Sequence, residues 1–403
     1  MTPLRAGVLL VLLSGAAAAA SACRQEEQSV GADGAAAPAA PTDHPPTWRL
    51  REALVIGTAV GDSVEEFGRI AGLTLGSDDQ VYVYDGHAKR VSTFSRDGTL
   101  LRRVGTKGEG PGEFAGIIVA MSHGPGDTLR IFDAGLWRET VFDSSGRVLG
   151  TTNLPPPPGM GQMPELDYDA VGRLYHLNYA GFAESLRSSF GRRLQGTGRG
   201  EVTIDVWDRE GGSWETLVEV PSIEVYFEGG ALQDAPFAAQ PLWAAVPSGG
   251  VWYGDSRDYL LSRVSLHGAV VNRFRGARGP LVVSARDRDA YRRAVDLEGS
   301  SLEWRQRVAG DREELPMPTH RPVLDAIRGA TDGGVWIRLA PAAWGARRDT
   351  VAWHVLSSDG ELVAEARLPG NVDPVEVGDR FVLGIRTTPL GVEHVVLFDV
   401  ERS

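Results

Sequence analysis

Between Gly72 and Phe114 short apolar runs alternate with polar turns. Val81-Tyr82-Val83-Tyr84 is β-branched and aromatic and ends at Asp85-Gly86. Arg90-Val91-Ser92-Thr93-Phe94 alternates in the strand period and stops at Asp97-Gly98, and Leu100 to Val104 forms a further run closed by Gly105. Runs of about five residues separated by Asp-Gly turns predict antiparallel hairpins. A four-stranded unit of about 45 residues has the size of one propeller blade.

The unit recurs. Asp133, Phe142 and Gly146 follow Asp85, Phe94 and Gly98 by 48 residues each. Further copies centre on Leu174–Asn178 with Val202–Trp207, Val251–Asp255 with Leu260–Val264, Gly334–Arg338 with Val351–Leu356, and Phe381–Ile385 with Val392–Asp399. The third strands are thus expected to end near Phe94, Phe142, Trp207, Val264, Leu356 and Phe398. The sixth copy stops before a fourth strand, whereas Trp48 to Gly57 (WRLREALVIG) reads as a strand without a unit. Pairing the two closes the ring and removes a free sheet edge. The fold expected is all-β, a six-bladed β-propeller over residues 48–403 closed by pairing of the N-terminal strand (about 48–57) with the C-terminal blade. Two inserts interrupt it. Gly181 to Gly200 is rich in Gly, Arg and Ser. Residues 280–316 hold a helical segment near 284–308, with Ser284 as its cap.

The chain opens differently. Arg5 precedes the apolar run Gly7 to Leu13, and small residues follow to Ala22, so residues 1–22 read as a signal peptide. Ala20-Ser21-Ala22-Cys23 resembles the bacterial lipobox, which implies lipid attachment at Cys23; the alternative is ordinary signal cleavage leaving a free thiol. Cys23 is the sole cysteine, so the fold cannot rest on an intramolecular disulfide. Residues 23–47 carry little to bury and read as a disordered, lipidated tether. A net charge of -12 argues against nucleic acid as partner and against polybasic attachment to anionic lipid.

Taken together, Val81 to Asp85, Arg90 to Phe94 with Asp97-Gly98, and Gly105 through Gly110-Pro111-Gly112-Glu113-Phe114 resemble an NHL-type repeat. Residues 48–403 are similar to bacterial six-bladed β-propeller lipoproteins, closely in the first two units and by landmarks in the rest. The resemblance implies an exported, membrane-tethered propeller. It implies no single activity, since such domains mostly bind proteins or other polymers, while some related propellers are lactonases, lyases or hydrolases.

Chemistry-bearing motifs are sparse. Lys107-Gly108-Glu109-Gly110-Pro111-Gly112 lacks the Gly-Lys-Ser/Thr and the following helix of a phosphate loop and reads as a tight crossover. Asp85, Asp133 and Asp255 recur at second-strand ends, where Asp caps its own turn; a Ca²⁺-binding carboxylate ring is the alternative. No His-Glu-x-x-His or Gly-x-Ser-x-Gly motif occurs. His123 and His320, near first strands, are the histidine pair to consider for a channel metal, and Arg69 and Arg321 are placed to face an anionic group at the channel mouth.

The expected role is a non-catalytic binding or scaffold module at the cell envelope. Its expected ligand site comprises Arg69, His123, His320 and Arg321, its domain is expected to be monomeric, and its expected partners are the membrane, through the lipid, and a protein, glycan or small ligand. No cofactor is expected. The alternative is a lactonase, lyase or hydrolase using Ca²⁺ or Zn²⁺ in the central channel.

Overall fold

The computed structural model describes residues 45–57, 66–156, 165–190, 195–228, 231–293, 315–346 and 348–402. The signal peptide, Cys23, the tether through residue 44 and positions 294–314 of the second insert lie outside the described residues.

Among the described residues the chain is all-β with two short helices. Unit I contains Ile70–Leu75, Val81–Asp85, Arg90–Phe94 and Leu100–Val104, hydrogen-bonded in that order. Unit II contains Ile118–Gly124, Thr128–Asp133, Arg138–Phe142 and Val148–Asn153. Unit III contains Leu166–Tyr168, Leu174–Asn178, Glu201–Asp208 and Ser213–Pro221, and unit IV Pro241–Ala245, Val251–Asp255, Leu260–Val264 and Val270–Arg275. Unit V contains Leu324–Gly329, Val335–Leu339, Thr350–Leu356 and Leu362–Pro369. Unit VI contains Val372–Val377, Phe381–Thr387, Glu393–Glu401 and, as its outer strand, Thr47–Ile56 from the other end of the chain. The inner strands neighbour one another in the order I to VI and back to I. This cyclic arrangement of antiparallel sheets is a β-propeller.

Ring closure rests on the N-terminal strand. From Arg49↔Glu401 to Ile56↔Val395 it pairs antiparallel with the last strand, with a register shift between Glu52 and Leu54. Its first residues also pair in parallel with unit V (Thr47↔Glu365, Trp48↔Ala366), and the Glu365 N–H donates to the Pro46 carbonyl. One strand therefore spans the outer edges of two units. Trp48 is buried against Trp336 at 6.2 Å between ring centroids, and the Arg402 guanidinium lies over the Trp48 ring at 5.0 Å from its centre.

Second strands supply the interfaces between units. Val81, Val83, Tyr84, Ile131, Phe132, Leu174, Tyr175, Val251, Trp252, Val335, Trp336, Val382 and Leu383 are all fully buried, which is why these runs are continuously apolar rather than alternating. Outer strands face solvent more: Leu100–Val104 alternates between half-buried and exposed positions, and Val148–Asn153 is exposed after its half-buried first residue.

Both inserts depart from simple loops. The first forms helix α1 (Phe182–Phe190), whose Phe182 and Leu186 are buried against unit III. Gly196–Gly198 then joins Val225–Glu228 and Ala231–Asp234 in a three-stranded sheet. In the second insert, helix α2 spans Ala285–Arg293. Ser284 caps it as the sequence indicated: its hydroxyl accepts from the Asp287 N–H at 3.2 Å, and Asp287 accepts from the Ser284 N–H at 2.8 Å.

Replacing Trp48 with Ala should lower unfolding free energy by about 3–5 kcal/mol, the cost of a large buried aromatic. Urea denaturation followed by far-UV circular dichroism checks it; a loss comparable with that of an exposed-site substitution would contradict the closure described above.

Candidate functional site

Six residues occupy one register position in the six inner strands: Thr74, Ser122, Asp167, Ala244, Arg328 and Glu376, opposite Tyr82, Arg130, Tyr175, Trp252, Trp336 and Leu383. Five of them are polar. Apart from a single parallel bridge between Ala330 and Val377, the inner edges of the inner strands have no strand partner among the described residues, and side chains from neighbouring units meet their backbone groups. Glu376 of unit VI accepts the Leu75 N–H (3.0 Å) and the Thr74 hydroxyl (2.8 Å) of unit I. Asp167 of unit III accepts the Ala245 N–H of unit IV at 3.0 Å, and Arg328 of unit V donates to the Pro374 carbonyl of unit VI at 2.9 Å.

These groups converge on the axis. Units III and VI stand opposite in the ring, yet Asp167 bears on the charge of Glu376, and Arg328 on that of Asp167. Burial is the main force raising both carboxyls above the ordinary range. The Leu75 N–H and Thr74 hydroxyl oppose it at Glu376, and the Ala245 and Tyr168 N–H groups and Arg328 oppose it at Asp167.

A second concavity lies on the face that carries the inserts. In every unit the second-to-third connection and the crossover to the next unit emerge at the same end, because each inner strand begins beside the end of its second strand (Ile70↔Asp85, Pro241↔Asp255, Leu324↔Leu339). There a cavity of about 310 Å³ is lined by Glu224, Phe237, Arg257, Thr319, His320 and Arg321 with Pro280, Pro318 and Pro322. Phe237, Tyr291 and Trp344, from three different connections, meet at 5.1–5.7 Å beside it. Asp287 ties this roof together. Beyond capping α2, it accepts the Trp344 N–H at 2.6 Å and stands 3.8 Å from Arg321 Nε, with both side chains buried. Burial pushes its carboxyl up, but the Ser284 hydroxyl and N–H, the Trp344 N–H and Arg321 outweigh this and hold it below the ordinary range.

The residues singled out in the sequence are dispersed. Arg69 is exposed just before the inner strand of unit I. His123 is the penultimate residue of the inner strand of unit II, at the opposite face, stacked on Tyr82 and 2.7 Å from Asp127. Ser77 bonds the same Asp127 oxygen, so the three do not form a Ser–His–Asp relay. His320 and Arg321 line the cavity together, on the insert face, and the structure does not bring His123 and His320 to one site. Arg321 is engaged internally: Nη2 donates to the Pro341 and Ala342 carbonyls at 2.6 Å each. Asp85 caps the His87 and Ala88 N–H groups and reaches Gly68 N–H, and Asp133 does the same at Gly135, Ala115 and Gly116. Asp255 caps Arg257 N–H and pairs with Arg199. The Gly-rich crossover wraps its own carboxylate, Gly110 N–H donating to Glu113 at 2.8 Å, while Arg138 binds the Glu109, Gly110 and Glu113 carbonyls. Among the described residues no group of three or more His, Cys, Asp or Glu gathers as a metal site. The aromatic roof and the axial carboxylates escaped the sequence reading. Asp167 and Glu376 sit in short first strands whose polar residues resemble turn residues, and Phe237, Tyr291 and Trp344 are far apart in the chain.

No family model and no curated protein matches the chain. Among solved structures, a member of the DUF4221 family from Bacteroides vulgatus is similar at 8% identity and TM-score 0.48, covering 89% of this chain and all of that one. A gluconolactonase from Xanthomonas campestris is similar at 13% identity and TM-score 0.41 (92% and 99% covered), and virginiamycin B lyase from Staphylococcus aureus at 10% and 0.39 (87% and 99%). Likeness at this level assigns no activity.

Because Glu376 is raised in the fold, its stabilising contribution is full below the usual glutamate value of 4.5 and is lost as pH rises through the higher folded value. Glu376→Gln keeps an acceptor for Leu75 and Thr74 without the charge. The stability of this variant relative to the wild type should therefore increase as pH is raised from about 4.5 to about 8. Urea midpoints across that range measure it; parallel profiles would contradict it.

Proposed function

We propose that the chain is a six-bladed β-propeller, exported and tethered through Cys23, that serves as a ligand-binding module at the cell envelope. The observation that supports this reading is the cavity on the insert face. Its wall combines an aromatic side chain, three prolines and a few fixed polar groups, the mixture that suits ligand capture. Arg257 and Glu224 at 2.7 Å offer donors and acceptors side by side, and His320 stands exposed at the rim with Thr319 Oγ1 3.0 Å from its Nδ1. The ligand is a glycan unit, a short peptide segment of a partner protein, or another small molecule of similar size, and the domain works as a monomer. Saturation-transfer NMR with a panel of mono- and disaccharides and di- and tripeptides tests it. At least one probe should bind, and Thr319→Trp, which fills the cavity, should weaken it by at least about tenfold, or 1.4 kcal/mol. Binding unchanged by Thr319→Trp would refute the assignment.

A second reading, a lactonase, lyase or hydrolase with its site in the central channel, draws on Asp167 and Glu376. Axial carboxyls raised by burial are candidates for general acids, and either Ca²⁺ or Zn²⁺ is the cation such a site would use. Under this reading the protein hydrolyses δ-gluconolactone when supplied with Ca²⁺ or Zn²⁺, and Glu376→Gln reduces the rate by about 10²-fold or more. A pH-stat assay decides; no turnover above the buffer rate removes the reading.

A further inference from the structure

The channel end beneath the inserts carries a local excess of positive charge in a chain whose net charge is -12. Asp325 and Asp373 each stand at the second position of an inner strand, in units V and VI. Arg338 Nε is 2.9 Å from Asp325, and Arg348 Nη2 is 3.6 Å from the same oxygen. Arg328 lies 3.5 Å and Arg338 3.9 Å from Asp373. Three guanidinium groups thus share two carboxylates. Arg338 Nε is shielded from water and forms no properly angled hydrogen bond despite its short contact.

Arg278 adds a fourth charge. It is half-buried in the crossover from unit IV to unit V, two residues after Gly276 N–H bonds the Tyr259 carbonyl and three before Leu281 pairs with Arg321. Arg348 binds the Leu339 carbonyl, and the next residue, Ala340, bonds Val323, which brings the same loop beside that crossover. No ion pair or side-chain hydrogen bond involves Arg278 among the described residues. Its charge is felt at Arg321, Arg348, Tyr259 and His354. Burial first, and then the neighbouring Arg338 and Arg278, lower the Arg348 guanidinium despite Asp325. A partly desolvated cation without a counter-charge is costly, and a guanidinium fork fits carboxylate and phosphate oxygens in two-point contacts.

We infer that Arg278 and Arg348, with Arg338 behind them, form a site for the carboxylate or phosphate group of a small anionic molecule at the insert-side mouth of the channel. Arg321 does not contribute, since its guanidinium is committed to Asp287 and two carbonyls. The site does not depend on occupancy of the neighbouring cavity.

Isothermal titration calorimetry with sodium phosphate and with sodium citrate, against sodium chloride at matched ionic strength, tests the site. Saturable binding of at least one of the two anions with Kd of about 1 mM or tighter is expected. The phosphate and citrate arms separate a phosphoryl from a carboxylate preference. Arg278→Gln and Arg348→Gln should each weaken binding at least tenfold, whereas Arg278→Lys should retain part of it and Thr319→Trp all of it. Arg278→Gln removes no hydrogen bond or ion pair among the described residues, so an unchanged melting temperature confirms that its fold is intact. Absence of saturable heat with both anions, or equal affinity in wild type and Arg278→Gln, overturns the proposal.

Discussion

The antiparallel pairing of Thr47–Ile56 with Glu393–Glu401 is the contact on which the remaining architecture depends. Every other unit is completed by residues near one another in sequence; unit VI alone requires both chain ends. Without that strand the ring would present an unpaired edge at Glu393–Glu401, and the inner strands would lose the closed geometry that sets Asp167 opposite Glu376. With no disulfide available, backbone pairing and the packing of Trp48 on Trp336 carry this closure.

The two faces of the ring differ because the connections differ. On one face the first-to-second and third-to-fourth turns are short and are held by Asp and Ser side chains, as at Asp143 and Asp169. On the other, α1, the three-stranded sheet, α2 and the Trp344 loop accumulate above units III to V. Variation is therefore concentrated where it cannot disturb the inner ring, and polar side chains left over from folding collect there. This division of labour is common where a rigid scaffold presents functional loops.

Much of the architecture was legible in the sequence because repetition makes the evidence cumulative. The third strands run to Phe94, Phe142, Val264 and Leu356 as the landmarks indicated, and extend one residue beyond Trp207 and three beyond Phe398. The N-terminal strand pairs where a missing partner required one. Helix α1 was not legible, since Gly181 to Gly200 reads as loop by composition; the spacing of Phe182 and Leu186, four apart and both buried, was its available signal. The chemistry was less legible still. Arg321 looks like a ligand-facing cation in sequence, but Asp287, 34 positions earlier, and the Pro341 and Ala342 carbonyls absorb it. Arg278 carried no motif, and what singles it out is the lack of a counter-charge among the described residues.

The parallel bridge at Thr47 and Trp48 has a mechanical consequence. Tension drawn on the chain from the side of residue 46 runs along the strand axis. The rungs to Glu393–Glu401 are then strained together, in shear, rather than parted one after another as at the end of a zipper. The same tension reaches unit V through Glu365 and Ala366, so two sheets resist as one. A protein held to a surface by its leading segment would thus be gripped at a seam that two sheets share.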